Sequence, residues 1–137
     1  WPATLDLDLG AGSWVEIPDA APSATYSVTY LGETPEDPSF TQPIVQGLNL
    51  VAPYYPAAVE VTATELCSVK AVPNDKFYVY SPGAGYTIGT YVFDAGLPPI
   101  IPASTNWNAT ATLEVGDGFW FERNSAPDTS WLQTKPY

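Results

Sequence analysis

Residues 113–122, which read Leu-Glu-Val-Gly-Asp-Gly-Phe-Trp-Phe-Glu, carry the strongest signals for the fold of this chain. Their first three residues alternate between apolar and acidic, as in a half-buried strand, and the glycines flanking Asp117 can supply the positive φ that tight connections need. The Phe-Trp-Phe run at 119–121 is apolar on both faces, which is typical of a strand covered on each side. We therefore predict a hairpin that turns at residues 116–118 and has a buried second arm.

Residues 7–16, which read Leu-Asp-Leu-Gly-Ala-Gly-Ser-Trp-Val-Glu, repeat this pattern at an offset of 106 positions. Aligned without a gap, the two stretches share the leucine, both glycines, the tryptophan and the final glutamate. We interpret the repeat as a duplicated unit, of which the chain carries one partial copy. The alternative is that two unrelated hairpins converged on the same Gly-x-Gly-x-Trp pattern.

The amino-acid composition and net charge limit the classes of molecule that the chain is expected to bind. A chain of 137 residues with 45% apolar side chains can build one domain, or one and a fraction, without metals or disulfides. Fifteen acidic residues stand against four basic ones, giving a net charge of −11. Nucleic acids and anionic membrane surfaces both need a basic face, so neither is an expected partner.

The residue types that are missing bear on where the protein works. The chain contains no methionine and begins with Trp1-Pro2, which favours a mature exported protein whose signal peptide was removed; a start introduced for expression would look the same. We expect an extracellular or cell-surface location. No apolar run approaches the ~20 residues that span a bilayer, so no membrane insertion is expected. The single cysteine, Cys67, is expected to be a small buried hydrophobe, with an intermolecular disulfide as the alternative.

Strand signals occur along the whole chain. Expected strands cover residues 4–9, 13–17, 25–31, 47–53, 76–80, 86–93, 107–115, 119–123 and 130–134. Residues 59–66 fit either a strand or one helical turn, and the acidic, proline-rich residues 32–39 are expected to form an exposed connection. We predict an all-β fold, an antiparallel β-sandwich with a partial unit at 1–42 and a complete unit at 43–137, forming one compact or partner-completed domain.

Four short motifs occur in a fixed order over residues 43–134. They are Gly-Leu-Asn-Leu-Val at 47–51, Pro-Tyr-Tyr-Pro at 53–56, Asp-Lys-Phe-Tyr-Val-Tyr at 75–80 followed by Gly-Tyr at 85–86, and the stretch at 113–120. Together they resemble the β-rich repeat module of large exported bacterial surface proteins. Leu48 stands where that module usually has a large aromatic residue, and Val115 stands where proline is common. The resemblance implies an extracellular β-rich module with no assigned catalytic residues.

A partial unit beside a complete one leaves a strand edge in need of a partner, which a second copy of the chain can supply by strand addition. We therefore expect a structural subunit of an extracellular filament or surface layer, a homopolymer built through edge contacts. Candidate assembly residues are Trp1, Pro2, Trp131 and Tyr137. The alternative is that both regions close into one sandwich that needs no partner.

The main rival function is a carbohydrate-binding or adhesive module, with polysaccharide as the partner. Exposed aromatic rings can stack on sugars, and the candidates for this role are Tyr54, Tyr55 and Trp107. For strand-embedded rings such as Trp14 and Trp120, core packing is the simpler expectation, because burying an aromatic side chain contributes about 1.5–3 kcal/mol. Asn108 begins an Asn-Ala-Thr triplet that fits the pattern for N-glycosylation.

Catalysis and cofactor binding find little support in the sequence. Without histidine, the chain cannot build a Ser-His-Asp arrangement or an imidazole metal site, and Cys67 has no base to activate it. Pairs of acidic residues such as Asp6 with Asp8, or Asp117 with Glu122, fit solvent-facing positions better than a catalytic pair. No Asp-x-Asp-x-Asp-Gly loop is present to bind calcium. We expect no enzyme activity and no cofactor.

Overall fold

The structure, a computed structural model, describes residues 35–96, 104–124 and 127–137. These ranges form short antiparallel strands and two helical turns. The strands are β1 (Ser39–Ile44), β2 (Gly47–Val51), β3 (Val59–Glu60), β4 (Lys76–Ser81), β5 (Gly85–Asp94), β6 (Ser104–Trp107), β7 (Thr112–Leu113), β8 (Phe119–Arg123) and β9 (Thr129–Thr134). The prediction of an all-β fold with antiparallel sheets is confirmed. The sandwich arrangement stays a prediction.

The largest sheet has five strands in the order β2-β8-β4-β5-β6. Strand β8 lies inside it, paired antiparallel with β2 on one side and β4 on the other. Phe119 and Phe121 are buried and Trp120 is half-buried. The expected strand at 119–121 is confirmed, but only Phe119 and Phe121 lie in the core. Trp120 points to the opposite face, so the expectations of cover on both sides of this strand and of core packing for Trp120 are wrong.

The prediction of a hairpin that turns at residues 116–118 is wrong. Strand β7 pairs with β3 rather than with β8, and the predicted strand at 107–115 is divided between β6 and β7. A turn does form, in which the Asp117 N–H donates to Glu114 O and Gly116 has a φ of 95°. Gly118 serves a different purpose, since a Cβ there would lie 3.2 Å from the carbonyl oxygen of Val51. After this turn, β8 pairs with β2 and β4, which are distant from it in sequence.

Strands β4 and β5 form the hairpin that the sequence predicts, with Tyr80 opposite Tyr86 next to the turn. In the middle of this hairpin Phe77 lies opposite Gly89. The ring of Phe77 covers the glycine so closely that a Cβ at position 89 would come within 2.1 Å of a ring carbon. Glycine is required here by packing, because the large ring takes the space of a side chain.

The remaining described elements share one core with side chains on one face of the five-stranded sheet, and we call these elements the second layer. They are the β1-β9 ladder, the short β3-β7 ladder and the two helical turns at Val61–Ala63 and Leu66–Lys70. The core consists of Ile44, Val51, Val61, Leu66, Cys67, Phe77, Val79, Leu113, Phe119, Phe121 and Trp131. Cys67 is fully buried, which confirms its expected role as a core residue, and burial raises the pKa of its thiol to about 12.

Residues 59–66 form both structures that their pattern allows, a short strand and a helical turn. A two-residue strand, β3, leads into a 3-10 turn, and a π-helical turn follows at Leu66–Lys70. Thr64 joins the two turns, because its hydroxyl donates to Val61 O at 2.7 Å and accepts from the Cys67 N–H at 3.3 Å. These bonds hold Leu66 and Cys67 against the core.

A buried ion pair anchors the end of β8. The Asp75 carboxylate is 0% exposed and accepts from the Arg123 guanidinium at 2.9 Å, from the Val72 N–H at 3.0 Å and from the Asn124 N–H at 3.0 Å. Arg123 also donates to Lys70 O at 2.6 Å. Buried charges are stable only when paired and hydrogen-bonded in this way.

The predicted division into two units concerns residues that are only partly described. Strand β1 runs through the proposed boundary between residues 42 and 43, so both sides of that position belong to one strand. The expected strands at 4–9, 13–17 and 25–31, and the copy of the repeat at 7–16, lie outside the described residues. The duplication stays a prediction.

Candidate functional site: the outer face of the five-stranded sheet

The strands of the five-stranded sheet carry apolar side chains on both faces, but within the described residues only one face shares a core with the second layer. Side chains alternate along a strand, and residues directly opposite each other on neighbouring strands share a face. The outer face therefore carries Leu48 and Leu50 from β2, Trp120 and Glu122 from β8, Lys76, Tyr78 and Tyr80 from β4, and Tyr86, Ile88, Thr90 and Val92 from β5. We call this surface the outer face.

The apolar side chains of the outer face are substantially exposed. Leu48 is 56% exposed, Ile88 50%, Tyr86 48% and Val92 41%. Core side chains on the inner face of the same strands, such as Phe77 and Phe121, are 0% exposed. An apolar surface that spans neighbouring strands is characteristic of an interaction site.

A shallow groove crosses the middle of the outer face. Its floor is a row of opposed residues, with Trp120 on β8, Tyr78 on β4 and Ile88 on β5. The groove measures about 360 Å³ and is lined by Gly47, Leu48, Tyr78, Tyr86, Ile88, Trp120 and Glu122.

One polar cluster borders this groove. The Tyr78 hydroxyl donates to Glu122 Oε2 at 2.5 Å, and Lys76 Nζ lies 3.9 Å from the same oxygen. The hydrogen bond to Glu122 and partial burial raise the pKa of Tyr78 to about 12. The cluster is overall neutral at physiological pH, because the single carboxylate faces a single ammonium.

Each residue predicted to stack on sugars is held by other contacts, although the rings of Tyr54 and Tyr55 touch with centroids 5.0 Å apart. The Tyr54 ring is stacked on Phe40 with centroids 4.1 Å apart, and Tyr55 is 5% exposed with its hydroxyl donating to Asp37 O at 2.8 Å. Trp107 is half-buried between Phe77 and Tyr91, and its ring N–H donates to Cys67 O at 2.9 Å. Each of these rings is used in packing.

The predicted assembly and modification residues are also dispersed. Trp131 is 3% exposed and packs on Phe119 in the core, whereas Tyr137 is 66% exposed and lies under the ammonium of Lys135. Trp1, Pro2 and Trp14 lie outside the described residues. Asn108 is exposed at the end of β6, where its side-chain oxygen accepts from the Thr90 N–H at 2.7 Å.

Sequence reasoning missed the residues that form the groove. Leu48, Tyr78, Tyr86 and Ile88 alternate with core residues along strands that are apolar on both faces, so the signal was present in each strand. What the pattern could not show is that these strands are neighbours whose second face is exposed.

A comparison of the chain with protein-family models, curated proteins and solved structures found no match. None of the helical segments in the described ranges has the length and apolar character of a membrane-spanning helix. Within the same ranges, no three Cys, Asp or Glu side chains cluster in a way that could hold a metal ion.

Proposed function

We propose that this chain is a structural subunit of an extracellular filament or surface layer, and that its copies associate through the outer face. The observation that carries the proposal is the exposure of aliphatic and aromatic side chains on the outer face of the five-stranded sheet. Burying apolar area contributes roughly 25 cal/mol per Å², so covering these side chains favours association.

The kind of side chain favours a protein partner over a sugar. Sugars stack on aromatic rings, but Leu48, Ile88 and Val92 are among the exposed residues of the outer face and offer no ring. An aliphatic side chain gains most from another apolar surface that excludes water. The mixture of aliphatic and aromatic residues is therefore closer to a protein interface than to a sugar platform.

The distribution of charge favours a second copy as the partner. Copies of a chain with a net charge of −11 repel one another over most of their surfaces. On the outer face Lys76 and Glu122 lie 3.9 Å apart and cancel, with Asp94 at the far end of β5. Two copies that meet through the middle of this face avoid the repulsion, which makes the outer face a favourable place for self-association.

Sedimentation velocity of the full chain over a wide range of concentration tests the proposal. We expect concentration-dependent association of the wild type, weakened at least ~tenfold by Ile88→Lys or Leu48→Lys, because each change places a charge in the interface. The matched control is Val115→Lys, which changes the net charge equally at a 62% exposed residue outside the outer face. A wild type that stays monomeric, or a control that weakens association as much as the two variants, contradicts the proposal.

A neutral polysaccharide is the second candidate partner, favoured by the position of Trp120, Tyr78 and Tyr86 beside the Glu122 carboxylate. Affinity electrophoresis through gels containing neutral polysaccharides distinguishes the two functions. Retardation of a monomeric wild type, lost in Trp120→Ala, supports sugar binding and contradicts assembly through the outer face. Unchanged mobility in all gels removes this candidate.

A further inference from the structure

Strand β9 has one edge that is paired with a strand and one that is not, within the described residues. On the paired edge β9 lies against β1, and the Lys135 N–H extends the ladder by donating to Pro38 O at 3.0 Å. Donors alternate in direction along an antiparallel strand, so the N–H groups of Ser130, Leu132 and Thr134 point away from β1. The Leu132 N–H indeed donates to the side chain of Glu65, at 2.8 Å from Oε2.

The outer edges of β1 and β9 are the edges that face away from the β1-β9 pairing, and they are protected in different ways. Pro43 of β1 lies opposite Ser130, at a site whose missing N–H would point away from β9. Proline at such a site removes a donor and blocks further pairing. The outer edge of β9 has no proline and is capped instead by the Glu65 carboxylate, whose second oxygen lies 3.3 Å from Lys70 Nζ. A side-chain cap can move away, whereas a proline cannot.

A groove of about 400 Å³ runs beside the outer edge of β9. Its lining includes Leu132 and Thr134 of the strand and also Val69, which is 70% exposed. The rest of the lining is mostly small or apolar, and Glu65 is the only charged residue among the lining residues. The groove therefore offers backbone hydrogen bonds on one side and apolar contacts around them.

We propose that this groove accepts residues 25–31 of a second copy as an added strand on β9, with Glu65 moving away from the Leu132 N–H. The inference rests on the proposed function, because it supplies a second contact between copies. A single self-complementary contact through the outer face gives only a dimer. A second contact of a different kind extends association beyond two copies.

Residues 25–31 are proposed as the added strand because they carry no charge. Three stretches of the chain before residue 35 have strand patterns, at 4–9, 13–17 and 25–31. The first contains Asp6 and Asp8 and the second contains Glu16, so both bring acidic side chains toward Glu65. Residues 25–31 read Thr-Tyr-Ser-Val-Thr-Tyr-Leu and carry no charge. An uncharged strand with aromatic and β-branched residues suits an apolar groove that contains one carboxylate.

Fluorescence anisotropy with a labelled synthetic peptide of residues 24–32, added to the full-length protein at a concentration where it is monomeric, tests the groove directly. We expect saturable binding of this peptide and none of a control peptide of residues 3–9. Glu65→Ala is expected to bind the peptide about tenfold tighter, because the Leu132 N–H no longer has a competing acceptor. Glu65→Gln retains an acceptor and should stay near the wild type.

The backbone of β9 provides the second arm of the test. Thr134→Pro removes an outward N–H, and Pro43 shows that a strand of this ladder tolerates proline at such a site. We expect at least a ~tenfold loss of peptide binding and, in sedimentation, association that stops at small species. Thr134→Ala, which keeps the N–H, is the matched control, and intrinsic tryptophan fluorescence, to which the buried Trp131 contributes, reports whether each variant is folded.

The outcomes separate this inference from the proposed function. Association that is sensitive to Ile88→Lys but unchanged by Glu65→Ala and Thr134→Pro, with no peptide binding, overturns the groove inference and leaves the proposed association through the outer face standing. Peptide binding by a protein that stays monomeric at every concentration supports the groove as a strand acceptor and contradicts the proposed function. Equal binding of both peptides overturns the choice of residues 25–31.

Discussion

The two faces of the five-stranded sheet are built from the same strands and from similar side chains, yet the inner face is buried and the outer face is exposed. On β4, Phe77 and Val79 point into the core, while Tyr78 and Tyr80 point outward. On β8, Phe121 is fully buried and its neighbour Trp120 only partly. The difference comes from the second layer, which within the described residues shares a core with the inner face alone. Apolar character makes a face able to be buried, and a covering layer or a partner decides whether it is.

The test with the largest expected effect truncates one side chain on each face. Phe77→Ala removes a fully buried ring from the inner face and should lower the free energy of unfolding by about 3–5 kcal/mol. Ile88→Ala on the outer face should lower it by less than ~1 kcal/mol, because the side chain is half exposed in the isolated chain. Urea denaturation followed by tryptophan fluorescence measures both. Equal losses would show that the outer face is buried in the monomer.

The second test compares the ion pairs on the two faces at the end of β8. Asp75→Ala leaves the Arg123 guanidinium buried without its partner, and we expect a loss of about 3–5 kcal/mol in the free energy of unfolding. The matched control, Lys76→Ala, breaks the partly exposed pair with Glu122 and should cost only about 0–1 kcal/mol. The same urea titration decides, and a small effect of Asp75→Ala would refute the anchoring role of the buried pair.

The third test concerns the close packing of the inner face at Gly89. Gly89→Ala forces a Cβ into the ring of Phe77, and overpacking of this kind should cost about 1–3 kcal/mol in the free energy of unfolding. The double variant Phe77→Ala with Gly89→Ala removes the clash. We therefore expect the two changes together to cost less than the sum of their separate costs, which a double-mutant cycle measures. Additive costs would contradict the contact.

The smallest effect is expected on the outer face, in the titration of Tyr78. The folded chain holds this proton more tightly than the unfolded chain, whose tyrosines titrate near a pKa of about 10. Its contribution to stability is therefore complete below pH ~10 and is lost as the pH rises toward the folded pKa of about 12. A tyrosine titration followed by NMR should show the pKa of Tyr78 falling in Glu122→Gln. A value unchanged by that substitution would exclude Glu122 as the cause.

Much of the fold could be predicted because its signals are local. The β4-β5 hairpin combines alternating aromatic and β-branched residues with a Ser-Pro-Gly-Ala-Gly turn, and each part of that signal lies within 20 residues. The hairpin at residues 116–118 was predicted by the same reasoning and is wrong. Its glycines make a turn, but β8 pairs with β2 and β4, which are far away in sequence. Turn chemistry is local, whereas strand pairing depends on the whole core.

The candidate site was less predictable than the fold. As aromatic residues, Tyr55, Trp107 and Trp131 are predicted to reach a ligand or a neighbouring copy, but the structure uses all three rings in packing. Ile88 and Leu48 carry no local signal of an interaction role, because an isolated aliphatic residue on a strand is most simply a core residue. Their role emerges only when the neighbouring strands are placed beside them.

By itself the sequence determined that this is an all-β chain, where several of its strands run, that Cys67 is buried, and that the net charge of −11 disfavours nucleic acid as a partner. These properties follow from composition and from periodicities of a few residues, which act wherever the chain goes. Only the tertiary structure decided which strands are neighbours, which face of the five-stranded sheet is covered, and which side chains line the groove beside β9. Those choices depend on contacts between residues far apart in sequence, and a strand that is apolar on both faces does not specify which face the core will take.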